Sequence, residues 1–267
     1  MHIVVCVKQI PNPEIAQSLF RIDEAAKKVI PVAGISPVIS PFDEQAVEAA
    51  LRVRDTLGEV KITVVTMGPE SAKAVLKSAL SLGADEGVML CDPAFDDSDS
   101  YATAFALSQA IRKLGQVDLI LAGRQAADWD AGVVGVGIAE LLDVPAITFA
   151  KSVVVENGKV VVERVLADGS EIVEAPLPAL VTVAHELGKP RYPSMRETMK
   201  AARKPTSIWK ATDIGLEPSQ VGPTGARRNL ERLYIPVSDV QCEFIAGASP
   251  AEAAAALARK LHEARLI

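Results

Sequence analysis

The feature that most constrains this chain is a series of short, unbroken apolar runs of strand length. They fall at Ile3 to Val7, Ile62 to Met67, Gly87 to Leu90, Leu119 to Ala122, Ala146 to Phe149 and Ala179 to Ala184. A strand with one wet face alternates polar and apolar residues, whereas a strand buried on both faces reads as a continuous run. In the first half these runs are separated by stretches of helical period, so the pattern predicts a doubly wound, mostly parallel α/β sheet of Rossmann-like type. Only 4% of the 267 residues are aromatic. The core must therefore be built from Val, Ile, Leu and Ala.

Each predicted helix carries its own punctuation. The first starts at Ser40 as N-cap with Pro41 in the first turn and Asp43 three residues on; Ala46, Ala50, Val53 and Leu57 share a face, and Gly58 follows. A second helix is expected from about Glu70 to Leu82 before Gly83, and a third from about Ser100 to Leu114 before Gly115. Past Lys151 the grammar changes. Asn157-Gly158 and Asp168-Gly169 separate β-branched runs, which predicts an antiparallel hairpin annex. From Pro205 the chain carries scattered Gly and Pro, and it ends in a helix opened by Ser249-Pro250-Ala251-Glu252. The expected organisation is one domain over residues 1–204 and an extended C-terminal arm over residues 205–267, whose final helix docks on the parent domain or on a partner subunit.

Several function classes are excluded or disfavoured. With 28 Lys and Arg against 34 Asp and Glu, the formal charge of −6 lacks the basic excess of a nucleic-acid binder. No apolar run approaches the ~20 residues that span a bilayer. Cys6, Cys91 and Cys242 are odd in number and widely spaced, against a disulfide framework or zinc site. The N-terminus enters a strand at once without the pattern of a signal peptide, so a cytoplasmic location is expected. The histidines lie in no metal or nucleophile motif, and there is no P-loop, no GxGxxG after the first strand and no GxSxG elbow.

Ligands of an open parallel sheet bind beyond the carboxyl ends of its strands. The richest such end is Gly123-Arg124-Gln125-Ala126-Ala127-Asp128-Trp129-Asp130-Ala131-Gly132-Val133-Val134-Gly135, which leads into a helix running to Leu142. Small residues at a helix start let an anion reach unpaired N–H groups, and Arg124 adds a fork of donors, so a phosphate is one natural guest. The other reading is a plain strand-to-helix turn capped by Asp128 or Asp130.

Taken together, these segments resemble the β-subunit family of electron transfer flavoprotein. The likeness covers the opening Val4-Val5-Cys6-Val7-Lys8-Gln9, Pro41-Phe42-Asp43-Glu44, Met67-Gly68-Pro69, Gly123-Arg124-Gln125-Ala126 with Asp128 and Asp130, and Pro190-Arg191-Tyr192-Pro193-Ser194-Met195. It implies an electron carrier, not an enzyme, paired with an α subunit that holds the redox FAD. It further implies AMP or a second FAD in this chain, bound by Cys6, Val7, Lys8, Met67, Gly68, Gly123, Arg124, Gln125, Asp128, Asp130, Ala131, Gly132, Val133 and Val134. Arg191, Tyr192, Met195, Arg196 and Lys200 would form a docking surface for an acyl-CoA dehydrogenase, as in fatty acid oxidation, or for another flavin dehydrogenase. The acceptor would be a membrane or soluble quinone- or ferredoxin-linked oxidoreductase. The sequence departs from the family where Val133 and Val134 replace residues with side-chain donors. Val165 after Glu163-Arg164 and the Ala94 to Thr103 segment lean toward the FAD branch, Pro41-Phe42 toward the AMP branch. A non-redox nucleotide binder or an ATP-using enzyme is the alternative, although Lys8-Gln9-Ile10-Pro11 is not a pyrophosphate loop.

Overall fold

The computed structural model describes residues 1–237 and 242–267. The apolar runs become β1 (His2–Cys6), β2 (Lys61–Met67), β3 (Glu86–Leu90), β4 (Leu119–Gly123), β5 (Ala146–Glu156) and β8 (Ala179–Val183). The annex supplies β6 (Lys159–Leu166) and β7 (Gly169–Pro176), and β9 (Thr206–Trp209) follows. Among the described residues these form one sheet in the order β7-β6-β5-β8-β4-β1-β2-β3-β9. Every neighbouring pair is parallel except β5 with β6 and β6 with β7.

Helices α1 (Pro41–Leu57) and α2 (Lys73–Leu82) cover one face, packing Ala46, Ala50, Val53, Val75 and Ala79 on Ile3, Val5, Ile62 and Val64. Helices α3 (Ser100–Lys113) and α4 (Val134–Leu142) cover the other, where Ala104, Leu107 and Ile138 meet Val4, Val65 and Ile120. Successive residues of a strand thus enter opposite cores, which is why the runs are unbroken. Fully buried Leu51 and Leu80 each contribute about 2 kcal/mol of apolar burial. Leu57, expected on the inner face, is exposed in the last residue of α1.

The chain travels outward from β1 to β2 and β3, then crosses back to place β4 on the other side of β1. That reversal is the topological switch point of the sheet, at the carboxyl ends of β1 and β4, where an open α/β fold forms its ligand crevice.

Three local expectations differ from what is observed. Ser40 makes no side-chain cap to α1, and Asp43 is turned inward. In the annex, Asn157 (φ 50°) and Gly158 (φ 74°) make the expected two-residue turn, but the second turn is Ala167-Asp168, because Gly169 already pairs with Leu166. The larger difference lies beyond the expected boundary at residues 204–205. There β9 pairs in parallel with β3, and Ala211, Ile214, Leu216 and Val221 complete the α3/α4 core. A four-residue strand that takes its whole ladder from β3 leaves no periodic trace of its own. The chain stays on the domain past Gly225, where the N–H groups of Arg227 and Arg228 donate to Asp99 at 2.9 and 3.0 Å, and residues 238–241 of the arm lie outside the described residues.

Helix α5 (Met195–Ala201) packs beside α2, and α6 (Pro250–Glu263) ends the arm. Ser249 caps α6 through the Glu252 amide, and none of the helix's residues is buried. No helix among the described residues is long and apolar enough to cross a membrane.

Candidate functional site

The floor of the crevice is Asp43. Its two carboxylate oxygens accept the backbone N–H of Lys8 at 2.8 Å and of Gly123 at 2.9 Å, tying the ends of β1 and β4 together. Asp43 is 7% exposed. Burial pushes its carboxyl up to about 7, against the pull of the two amide hydrogen bonds and the nearby Lys8 charge. Gly123 is required for this approach: a β-carbon there would lie 2.5 Å from Asp43 Oδ1 and 2.7 Å from Phe42 Cβ. Across the crevice mouth, Lys8 Nζ donates to both Asp128 oxygens at 2.7 and 2.9 Å.

The loop after β4 is folded back on itself. Asp130 N–H donates to the Ala126 carbonyl at 2.7 Å, and the Gln125 amide nitrogen donates to Asp130 Oδ1 at 2.7 Å. Asp130 takes a left-handed backbone (φ 51°), which its short polar side chain tolerates. Gly132 lets the returning strand of this loop touch its start, since a β-carbon would sit 3.2 Å from the Arg124 carbonyl oxygen. Neither Asp128 nor Asp130 caps α4. Its N-cap is Val133, which has no acceptor to offer, and the amides of Val134, Gly135 and Val136 find no partner among the described residues. Trp129 and Val133 stand exposed on the outer side of the turn.

This donor set fits an anion. An uncapped start of a nine-residue helix carries several open N–H groups and a partial positive charge, and Val133 and Val134 offer no side-chain acceptor to occupy those amides. The structure gathers Lys8, Gly123, Arg124, Gln125, Asp128, Asp130, Ala131, Gly132, Val133 and Val134 about the ends of β1 and β4, with the Val133 side chain turned outward. Cys6 and Val7 are present mainly as backbone, for their side chains point into the two opposite cores. Burial, helped by Asp43, pushes the Cys6 thiol up to about 12, so it stays protonated. Met67 and Gly68 lie half-buried at the end of β2, one strand over. Among the described residues no group of three His, Cys, Asp or Glu could hold a metal.

Sequence reasoning missed Asp43 as a site residue, because an acidic residue in a first helical turn is ordinary. It also missed two buried hydroxyls, Ser40 Oγ and Thr66 Oγ1, which find no hydrogen-bond partner among the described residues. Ser40 N–H donates to the Lys8 carbonyl, so its orphaned oxygen lies beside the end of β1. The signal is present in the Pro41-Phe42-Asp43-Glu44 stretch, which the sequence offers as a helix start and as part of the family resemblance without marking Asp43 as a site residue.

The second candidate surface is the loop before α5. Arg191 does not face outward as a steering charge. Its Nε donates to Glu48 Oε2 at 2.8 Å and its Nη2 to Asp55 at 2.7 Å, while Arg52 holds Glu48 Oε1 at 2.8 Å. Burial would raise the Glu48 carboxyl, but the hydrogen bonds from Arg191 and Arg52 win and hold it below its ordinary range. Arg191 therefore bolts the loop to α1. Lys200 is paired with Glu197, whereas Arg196 makes no ion pair among the described residues. Tyr192, Met195 and Met199 are 92%, 81% and 70% exposed, an apolar group standing clear of the core.

The fold and crevice define a doubly wound α/β protein with an anion-ready switch point and a separate exposed apolar surface. Residues 29–214 match the family model described as electron transfer flavoprotein domain. Over 267 residues, covering all of both chains, this chain is 38% identical to the caffeyl-CoA reductase-Etf complex subunit CarD of Acetobacterium woodii. It is 40% identical over 248 residues to the electron transfer flavoprotein subunit beta of Thermoanaerobacterium thermosaccharolyticum, covering 92% of this chain and 93% of that one. It is 36% identical over 255 residues to protein FixA of Rhizobium meliloti, covering 90% and 83%. The chain belongs to the electron transfer flavoprotein family, on its β-subunit side.

Proposed function

We propose that this chain is the β subunit of a heterodimeric electron transfer flavoprotein and holds an adenine nucleotide, AMP or a second FAD, at the β1/β4 switch point. The observation that carries the reading is the uncapped start of α4 facing a loop that Gly132 closes tightly. A flavin held in the complex supplies the redox chemistry. What this chain's residues do is bind and orient. Open amides at α4 receive a phosphate, Asp43 fixes the spacing of the two strands that frame the site, and Lys8 with Asp128 guards its mouth.

The uncovered helix α6 and the exposed Tyr234, Ile235 and Phe244 of the arm suit burial on an α subunit. Tyr192, Met195 and Met199 suit a flavin dehydrogenase that must bind and release, since methionine adapts to varied apolar pockets. A complex with a caffeyl-CoA reductase, such as the one named for the Acetobacterium relative, is one setting of that kind.

The test is to isolate the chain with its α subunit, record the visible spectrum, and extract and identify the nucleotide. The reading expects a flavin spectrum and either AMP alongside one FAD per heterodimer or two FAD. A complex with no adenine nucleotide beyond the α subunit's flavin would contradict the switch-point site.

A further inference from the structure

Phe149 breaks the local rules of its own strand. Within β5 it adopts a left-handed backbone with φ 59°, a conformation uncommon for any residue with a β-carbon and a genuine outlier for a bulky one. The register explains how it is held. Ile147 pairs with Val181 and Ala150 with Val183, so Thr148 and Phe149 together oppose the single residue Thr182. This is a β-bulge, a device that re-aims one side chain. The buried Thr182 hydroxyl accepts the Phe149 N–H at 3.2 Å and so supports the strained residue.

The re-aimed ring has one evident target. The guanidinium carbon of Arg124 lies 5.2 Å from the centre of the Phe149 ring and 5.5 Å from that of Phe42. Arg124 Nε donates to Gln125 Oε1 at 3.1 Å, which ties the inner end of the group. Its two terminal nitrogens donate to nothing among the described residues. Two rings and one amide thus orient a half-buried cation while leaving its bidentate fork open. Arg124 also begins the loop whose Gly132 touches its own carbonyl, so the fork and the uncapped α4 amides belong to one tight turn. Backbone strain at such a position is kept where the surrounding structure over-determines it and the geometry is needed.

We propose that Phe149 is a positioning residue of the switch-point site, its bulged and strained backbone pressing its ring on Arg124 so that the guanidinium fork stays aimed at the phosphate of the bound nucleotide. This rests on the nucleotide reading above and adds to it a specificity element for the phosphate as distinct from the nucleoside. Phe149 itself touches no phosphate. It acts through Arg124, and Phe42 supplies the second ring.

The experiment compares AMP with adenosine by calorimetric titration of the full chain freed of nucleotide, for the wild type, Phe149→Leu, Phe149→Tyr, Arg124→Met and the double variant Phe149→Leu/Arg124→Met. The wild type should prefer AMP. Phe149→Leu should weaken AMP roughly tenfold and leave adenosine within about twofold, as expected for a lost cation–ring contact that had oriented a charged donor. Phe149→Tyr, which keeps the ring, should restore the wild-type affinity for AMP. In the Arg124→Met background Phe149→Leu should add almost nothing, because the group it positions is gone. Equal losses for AMP and adenosine, or a full additional loss in the Arg124→Met background, would overturn the positioning role while leaving the nucleotide site standing. A folded wild-type chain that binds neither probe would sink both.

Discussion

The crevice at the β1/β4 switch point and the loop before α5 are built by opposite means. In the crevice a buried carboxylate grips two backbone amides, Gly123 allows a contact no side chain would permit, and the open groups are main-chain N–H and the Arg124 fork. In the loop before α5 the ion pairs face inward, through Arg191 and Glu48, and the groups left outside are flexible apolar side chains. The first arrangement suits a small ligand that stays, since its donors are fixed in advance. The second suits a protein that comes and goes, since its contact residues can repack while their base is held.

That contrast is most easily broken at Asp43. Its carboxyl titrates at about 7 in the folded chain against an ordinary 3.8, so between those values the native state holds a proton that the unfolded state has lost. Stability contributed by the protonated group is therefore present below about pH 4 and declines as pH rises through 7. The full effect is up to about 4 kcal/mol, with each pKa unit worth roughly 1.4 kcal/mol. Urea unfolding of the wild type and Asp43→Asn at about pH 5 and pH 8 should show the wild type losing stability relative to the variant on going up. A constant difference would mean that Asp43 is not the buried titrating floor of the site.

Gly123→Ala tests the same floor sterically. The added methyl meets Asp43 and the Phe42 backbone, and overpacking against backbone should cost about 3 kcal/mol by urea unfolding, with nucleotide affinity falling alongside. A variant of unchanged stability would show that the strands part easily and that the crevice is not rigid.

Arg191→Met sharpens the other side of the comparison. It leaves Glu48, 6% exposed at its side chain, with Arg52 and the backbone N–H of residue 191, and should cost about 2 kcal/mol. Because the hydrogen bonds hold Glu48 below its ordinary range, the stability this pair gives is present above that range and lost as pH falls through the lowered value. The wild type and the variant should therefore converge in acid. Nucleotide binding should stay as in the wild type, and a nucleotide-binding defect would show that the two regions are not independent.

Met195→Ala carries the smallest effect on the fold, within about 0.5 kcal/mol for so exposed a side chain. Electron transfer to a flavin dehydrogenase should nonetheless slow by about 1 to 2 kcal/mol of lost anchoring, measured as rate against partner concentration. An unchanged rate would remove Met195 from the docking surface.

The parallel sheet was legible because burial on both faces writes itself into its central strands as unbroken runs. The turn from Gly123 to Val134 was legible because its small residues have few other uses between a strand and a helix. What stayed hidden depends on neighbours distant in the chain. Asp43 looks like any acid in a first helical turn until β4 arrives beside β1, and Arg191 looks like a free surface charge until Glu48 is seen beneath it. Phe149 sits in an ordinary apolar run, and only the pairing of β5 with β8 reveals its bulge. The strand at Thr206 to Trp209 is defined by its pairing with β3 and not by its own residues.

The central claim is that an adenine nucleotide sits at the switch point with its phosphate on the main-chain amides that open α4. A crystal structure of the full chain with its α subunit and bound nucleotide tests it most directly. The account predicts the phosphate within hydrogen-bond distance of the amides between Gly132 and Val136, with Asp43 still holding Lys8 and Gly123 beneath it. Nucleotide density elsewhere on this chain, with that turn empty, would contradict it.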